Sequence, residues 1–153
     1  MTIAVGQPAP DFSLDTDEGP RTLADYRGKR LVLYFYPKDD TSGCTNEARQ
    51  FRDEYARFIV NKAEILGVSK DSVASHEKFR AKHSLPFPLG SDTSGAVCEA
   101  YGVWVENSMY GRKYMGIERA TFLIDEQGVV RAVWRKVKVT GHAMDVLNKL
   151  HEM

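Results

Sequence analysis

The sequence predicts an α/β fold in which a central mixed sheet is covered by helices on both faces. Two apolar runs rich in β-branched and aromatic residues, residues 30–36 and 63–69, have the composition of strands buried on both faces. Helical patterns lie between and after these runs, and the chain closes with a predicted hairpin and a final helix. Strands that alternate with helices in this way predict a layered sheet with helical covers.

Two β-hairpins are predicted. Near the N-terminus, the short extended segments 12–14 and 21–23 flank a Gly19-Pro20 turn. Later in the chain, segments 120–125 and 129–139 are separated by three residues that end in Gly128, which can supply the turn.

Four segments have helical patterns: residues 44–60, 72–84, 93–103 and the closing stretch "HAMDVLNKLHEM". In the closing stretch, one face carries Ala143, Val146, Leu147 and Leu150. In the first helix, one face carries Ala48, Phe51, Tyr55, Phe58 and Ile59.

Length and composition predict one domain over residues 1–153. Basic and acidic residues number 21 each, so the net charge of zero provides no general attraction to nucleic acid or to an anionic membrane. We expect no secretory signal, since the start lacks a basic segment followed by an unbroken apolar run. No apolar run approaches the roughly 20 residues that cross a bilayer. In the cytoplasmic location that we expect, the two cysteines would be reduced, so a cysteine-based function would depend on reactivity.

Cys44 lies at the start of the first predicted helix, on its inward face. We therefore expect the thiol to be sheltered but not deeply buried. Asp40, Thr41 or Ser42 can serve as the N-cap, and Gly43 lets the backbone turn closely. Unpaired N–H groups and the positive end of the helix dipole favour a thiolate, which is the nucleophilic form. The alternative is a small buried side chain without reactivity.

The segment around Cys44 also carries a motif. Pro37, Thr41 and Cys44 fit the pattern Pro-x-x-x-Thr-x-x-Cys, which resembles the active-site signature of the peroxiredoxins, thiol peroxidases with a thioredoxin-like fold. The context "FYPKDDTSGCTNEA" resembles the bacterioferritin comigratory protein, or PrxQ, subgroup. The resemblance covers nearly the whole chain and includes "VGQPAPDFSL", "GVSKDS", "FPLGSD", "VCEAYGVW" and "GIERATFLID". It implies a thioredoxin-like fold with a peroxiredoxin-type N-terminal β-hairpin.

The resemblance assigns roles to four residues. Cys44 would be the peroxidatic cysteine, Thr41 would hydrogen-bond near the peroxide, Pro37 would shape and shield the loop, and Arg119 would be the pocket arginine. An arginine suits that task because it stays charged and carries several fixed donors. The alternative for Arg119 is an exposed cation at a strand edge. The expected product is a sulfenic acid on Cys44, formed from hydrogen peroxide or an organic hydroperoxide without metal, flavin or haem.

The chain departs from the subgroup that it resembles at the positions where a resolving cysteine would stand. Members place it five residues after the peroxidatic cysteine, where this chain has Arg49, or in the following helix, where it has Arg80. Cys98 is the other candidate, but its pattern is more typical of core packing, and a bridge needs the two Cα atoms within about 7 Å. We therefore predict a one-cysteine cycle in which an external thiol, from a small molecule, a thioredoxin or a glutaredoxin, reduces Cys44.

Other functions remain as alternatives. A thioredoxin-like redox sensor or chaperone with little turnover would use the same cysteine. A disulfide reductase is less favoured because position 47 holds Glu47, so Cys44 has no C-x-x-C partner. A nucleic-acid patch could be formed by the basic residues Arg112, Lys113, Arg135, Lys136 and Lys138, but the zero net charge of the protein favours a solvated strand face. The resemblance implies a monomer, with a dimer as the alternative.

Overall fold

The computed structural model describes residues 3–153, and residues 1–2 of the predicted domain lie outside the described residues. The strands are β1 (Ser13–Thr16), β2 (Arg21–Thr22), β3 (Arg30–Phe35), β4 (Ala63–Ser69), β5 (Leu89–Ser91), β6 (Trp104–Met109), β7 (Arg112–Ile117), β8 (Ala120–Ile124) and β9 (Val130–Trp134). The helices are α1 (Ser42–Asp53), α2 (Tyr55–Val60), α3 (Val73–His83), α4 (Ala96–Ala100) and α5 (His142–His151), with a 3-10 helix at Leu23–Tyr26.

The central sheet is mixed, with strand order β2-β1-β5-β4-β3-β8-β9. Strands β3, β4 and β5 run parallel to one another, while β8, β9, β1 and β2 pair antiparallel with their neighbours. The N-terminal hairpin joins the sheet through β1 and β5. The predicted α/β fold is confirmed, and it has the thioredoxin-like layout with the added hairpin.

Side chains alternate across the central strands and build a core on each face. On β3, Leu31, Leu33 and Phe35 belong to one core, while Val32 and Tyr34 belong to the other. The first core is covered by α4, the 3-10 helix and the N-terminal segment, and the second by α1, α2, α3 and α5. Because both faces are covered, the β3 sequence is a continuous apolar run.

The first predicted helix is two helices, since α1 ends at Asp53 and α2 begins at Tyr55. Glu54 between them has a ψ of 3°, and neither glycine nor proline marks the break in the sequence. The break changes which side chains face inward, so Phe58 is buried while Ile59 is exposed. The expectation that Ile59 lies on the inward face was therefore wrong.

Three strands were not predicted, and one was predicted too long. Strand β5 has three residues, too few to show a period, yet it pairs with both β4 and β1. The β6–β7 ribbon is mostly exposed, so it lacks an apolar alternation; its turn uses Tyr110 and Gly111, both with positive φ. Strand β9 stops at Trp134, and Lys136 beyond it adopts a φ of 48°.

Candidate active site

Cys44 lies in the first turn of α1, whose N-cap is Thr41 in extended conformation. Its side chain packs in the second core together with Tyr34, Tyr36 and Phe51. The residue is only 2 % exposed. It is therefore more deeply buried than the sequence led us to expect, because the inward face of the helix begins at Cys44 itself.

Arg119 reaches the sulfur from the residue before β8. Its Nη2 atom donates to Cys44 Sγ at 3.3 Å, and its Nη1 atom donates to Glu47 Oε1 at 2.7 Å. The pairing of β8 with β3 brings this arginine to Cys44, which lies 75 positions earlier in the chain. A Cβ atom at Gly43 would lie 3.2 Å from Nη2, so the glycine leaves room for the guanidinium.

The guanidinium is a partly buried cation with two partners. Burial alone would lower the pKa of Arg119, but the Glu47 carboxylate and the Cys44 sulfur outweigh it and raise that pKa. The side chain of Arg119 is therefore fully charged beside the sulfur, which places a fixed positive charge and a hydrogen-bond donor against the nucleophilic atom. The alternative of an exposed strand-edge cation does not fit this placement.

Glu47 is a site residue that sequence reasoning missed. It is 1 % exposed, and burial raises the pKa of its carboxyl to about 7, against the lowering effect of Arg119. Its second oxygen, Oε2, is buried without a hydrogen-bond partner in the described part of the chain. One pattern could have revealed it: Glu47 lies three residues after Cys44 on the inward face, where a carboxylate needs a cationic partner.

Pro37 and Thr41 lie in the segment between β3 and α1, and both are exposed. The Thr41 hydroxyl donates to Lys38 O at 2.9 Å and makes no side-chain capping bond to α1. Its oxygen keeps lone pairs that can accept a hydrogen bond from a peroxide O–H. Of the four residues predicted for the site, Cys44 and Arg119 are therefore in contact, while Pro37 and Thr41 are exposed residues of the segment that leads into α1.

Cys98 lies far from this cluster, on α4 in the core of the opposite sheet face. It is fully buried, and burial together with Asp92 raises the pKa of its thiol well above the ordinary value. Both cysteines are free. Since the sheet separates Cys98 from Cys44, a bridge would require large local unfolding.

Arginines occupy the two positions at which members of the resembled subgroup carry a resolving cysteine. The surroundings of these two arginines differ. Arg49 is exposed on α1. Arg80 on α3 donates to Asp17 Oδ2 at 2.9 Å and to Leu85 O at 2.9 Å, and it also pairs with Glu18. Arg80 therefore ties α3 to the N-terminal hairpin.

The residues considered for a nucleic-acid patch lie on and after the β6–β7 ribbon and β9. Arg135 donates to Glu118 and to Gly102 O, and Lys113 lies 3.7 Å from Glu106. These contacts fit a solvated face with local charge pairing. Within residues 3–153, no helix is both long and apolar enough to cross a membrane.

Comparison with known proteins identifies close relatives. The family model described as AhpC/TSA family matches residues 5–133. Peroxiredoxin Bcp of Bacillus subtilis is 51 % identical over 154 residues, covering 100 % of this chain and 98 % of that protein.

Solved structures of peroxiredoxins from this subgroup are also similar to the chain in sequence and in fold. One, of the bacterioferritin comigratory protein of Xanthomonas campestris, concerns alkyl peroxide reduction and trapped intermediate and ligand complexes. It is 45 % identical, covers 97 % of this chain and 98 % of that one, and has a TM-score of 0.91. A crystal structure of a Xylella fastidiosa PrxQ variant is 41 % identical, covers 99 % and 98 % of the two chains, and has a TM-score of 0.94.

Proposed function

The chain belongs to the AhpC/TSA family and is a peroxiredoxin of the bacterioferritin comigratory protein or PrxQ subgroup, a thiol-dependent peroxidase; from this premise we propose that Cys44 is its peroxidatic nucleophile. The observation that carries the assignment is the 3.3 Å contact from Arg119 Nη2 to Cys44 Sγ in the first turn of α1. The guanidinium and the free N–H groups of that turn together favour the thiolate.

The reaction needs a thiolate and a stabilised leaving group. The Cys44 thiolate donates an electron pair to one peroxide oxygen, an S–O bond forms and the O–O bond breaks. The departing hydroxide or alkoxide takes a proton and leaves as water or alcohol, while Cys44 becomes a sulfenic acid. In our proposal Arg119 and the helix N–H groups stabilise the negative charge that spreads over the oxygens, and Thr41 accepts the peroxide O–H.

Access to the sulfur is proposed to occur between the loop and the helix start. Pro37 and Thr41 are exposed and Gly43 is half-buried, so Cys44 lies one layer below the surface. A small peroxide can approach along this edge, with Pro37 limiting the entry of water. Hydrogen peroxide and organic hydroperoxides are the substrates that we propose.

We propose that reduction follows a one-cysteine cycle. An external thiol attacks the Cys44 sulfenic sulfur, an S–S bond forms and water leaves. A second thiol then breaks that mixed disulfide and returns Cys44 to the thiol. The separation of Cys98 from Cys44 by the sheet supports this cycle, as do the arginines at positions 49 and 80.

Two further proposals concern the identity of the external thiol and the oligomeric state. We propose a thioredoxin as the reductant, with a glutaredoxin or a small thiol as alternatives, and a monomer as the working form, with a dimer as the alternative. The organisation of residues 1–153 as one domain and the cytoplasmic location stay predictions.

The test uses reduced protein and one equivalent of hydrogen peroxide, followed by intact mass and by thiol titration. We expect the mass gain of one oxygen, loss of one thiol, and peroxide consumption sustained by dithiothreitol. Cys44→Ser should abolish all three. Cys98→Ser should leave turnover intact; if it abolished turnover in a folded protein, the one-cysteine cycle would be wrong. Fast oxidation without turnover under any thiol donor would support the sensor instead.

A further inference from the structure

The loop that carries Thr41 to the start of α1 is held by one buried carboxylate, that of Asp39. Its side chain is 4 % exposed and is hydrogen-bonded to three groups. Tyr36 donates to Oδ1 at 2.5 Å, and Ser75 Oγ donates to Oδ2 at 2.8 Å. His76 Nδ1 lies 2.7 Å from the same Oδ2. Burial raises the pKa of Tyr36 well above its ordinary value, so its hydroxyl keeps the proton that it donates.

His76 joins this carboxylate to the sheet. Its ring is fully buried, and its Nε2 atom lies 3.0 Å from Gly90 O in β5. A carbonyl oxygen can only accept, so Nε2 must carry a proton. The 2.7 Å contact between Nδ1 and Asp39 Oδ2 is a short hydrogen bond between two buried side chains, so the ring links the Asp39 carboxyl to the backbone of β5.

The groups around the pair leave the loop little freedom at residue 39. The Asp39 N–H donates to Asp71 Oδ2 at 2.8 Å, and Ser69 Oγ donates to the same oxygen at 2.6 Å. The next residue, Asp40, has a φ of 62° and pairs with Lys82 at the surface. The link from the loop through His76 to Gly90 is the buried one, and solvent does not screen it.

We propose that His76 is a positioning residue for peroxide reduction, acting through Asp39 on the loop that aims Thr41 and the first turn of α1 at the peroxide. This inference rests on the proposed function of Cys44. His76 belongs to α3 and contacts neither Cys44 nor Arg119 in the described hydrogen bonds, so its effect must pass through the loop. A loop that shifts by about 1 Å can cost up to about 100-fold in rate.

Two substitutions separate the two ends of the ring. In His76→Asn, the amide nitrogen takes the place of Nδ1 and keeps a hydrogen bond to Asp39. In His76→Gln, it takes the place of Nε2 and keeps the donation to Gly90. Glu77→Gln, on the exposed neighbouring residue of the same helix, is the matched control.

The measurements are the second-order rate constant of Cys44 oxidation by hydrogen peroxide and the amide hydrogen exchange of residues 38–44. Urea unfolding of each variant supplies the stability comparison. We expect His76→Gln to lower the rate constant by about 10- to 100-fold and to speed loop exchange. His76→Asn should stay within about threefold of the wild type in rate, with slow loop exchange, although both variants are less stable.

Three outcomes would overturn the inference. If His76→Gln retains the wild-type rate constant, the loop does not depend on His76. If the rate constant falls equally in both variants, or falls only as far as each variant loses stability, the ring acts only through packing. If the wild type itself does not react with peroxide, the proposed function fails and the positioning role falls with it.

Discussion

Glu47 should make the stability of this protein depend on pH, and its contribution can be separated from those of the other titrating groups. Burial raises the pKa of its carboxyl from the ordinary 4.5 to about 7, so the folded protein favours the protonated form more than the unfolded chain does. The stability that this group contributes is complete below pH 4.5 and is lost as the pH rises through about 7. Other titrating groups are removed from the comparison by subtracting the profile of Glu47→Gln, whose amide still accepts from Arg119.

The difference between the ordinary pKa of 4.5 and the folded-state pKa of about 7 sets the size of the stability change. At about 1.4 kcal/mol for each pH unit, the full range corresponds to about 3 kcal/mol, most of which falls between pH 5 and pH 8. The free energy of unfolding of the wild type, minus that of Glu47→Gln, should therefore decrease by about 2 to 3 kcal/mol over this interval.

Urea unfolding at pH 5, 6, 7 and 8 measures this difference. Glu77→Gln, which changes an exposed carboxylate on α3, should follow the wild type at every pH. A flat difference between the wild type and Glu47→Gln would refute the reasoning, since it would mean that Glu47 titrates alike in the folded and unfolded chains. An increase with pH would show that the ion pair with Arg119 outweighs burial.

Two further predictions concern the site and the core. Replacing Arg119 by Met removes a charged donor from the Cys44 sulfur. The variant should oxidise with peroxide about 10- to 150-fold more slowly, since such a hydrogen bond contributes about 1.5–3 kcal/mol. Stopped-flow kinetics measure this rate constant, and a loss below threefold would contradict the assigned role of Arg119. Gly67→Ala places a Cβ atom 2.7 Å from Tyr34 Cζ, because the ring lies over β4. The variant should lose about 1–3 kcal/mol in urea unfolding, and an unchanged midpoint would show that the ring moves freely.

The strands and helices that pack on both sides were the easiest to predict. The runs that became β3 and β4 needed no partner to be recognised, because burial on both faces leaves a continuous apolar sequence. The β6–β7 ribbon was missed for the opposite reason: its side chains are mostly exposed, and Tyr110 at its tip is 98 % exposed. A pattern of burial cannot reveal an element that buries little.

The residues of the candidate site also differ in how far the sequence could predict them. The position of Cys44 at a helix start follows from residues next to it in the chain, and the resemblance supplied Arg119 as an expectation. The position of Glu47 on the inward face called for a cationic partner but did not identify Arg119, and nothing local indicated that His76 would meet Asp39. Each of those contacts joins elements separated by more than 30 residues.

The sequence by itself determined the α/β order of elements, the inward face of α1 and the place of Cys44 at the positive end of that helix, because these depend on side-chain period and backbone polarity within a few residues. Only the tertiary structure decided that Arg119 touches the sulfur and that Cys98 lies across the sheet. Which side chains meet depends on strand register and on the face of the sheet that each helix covers, and both are set by packing between distant segments.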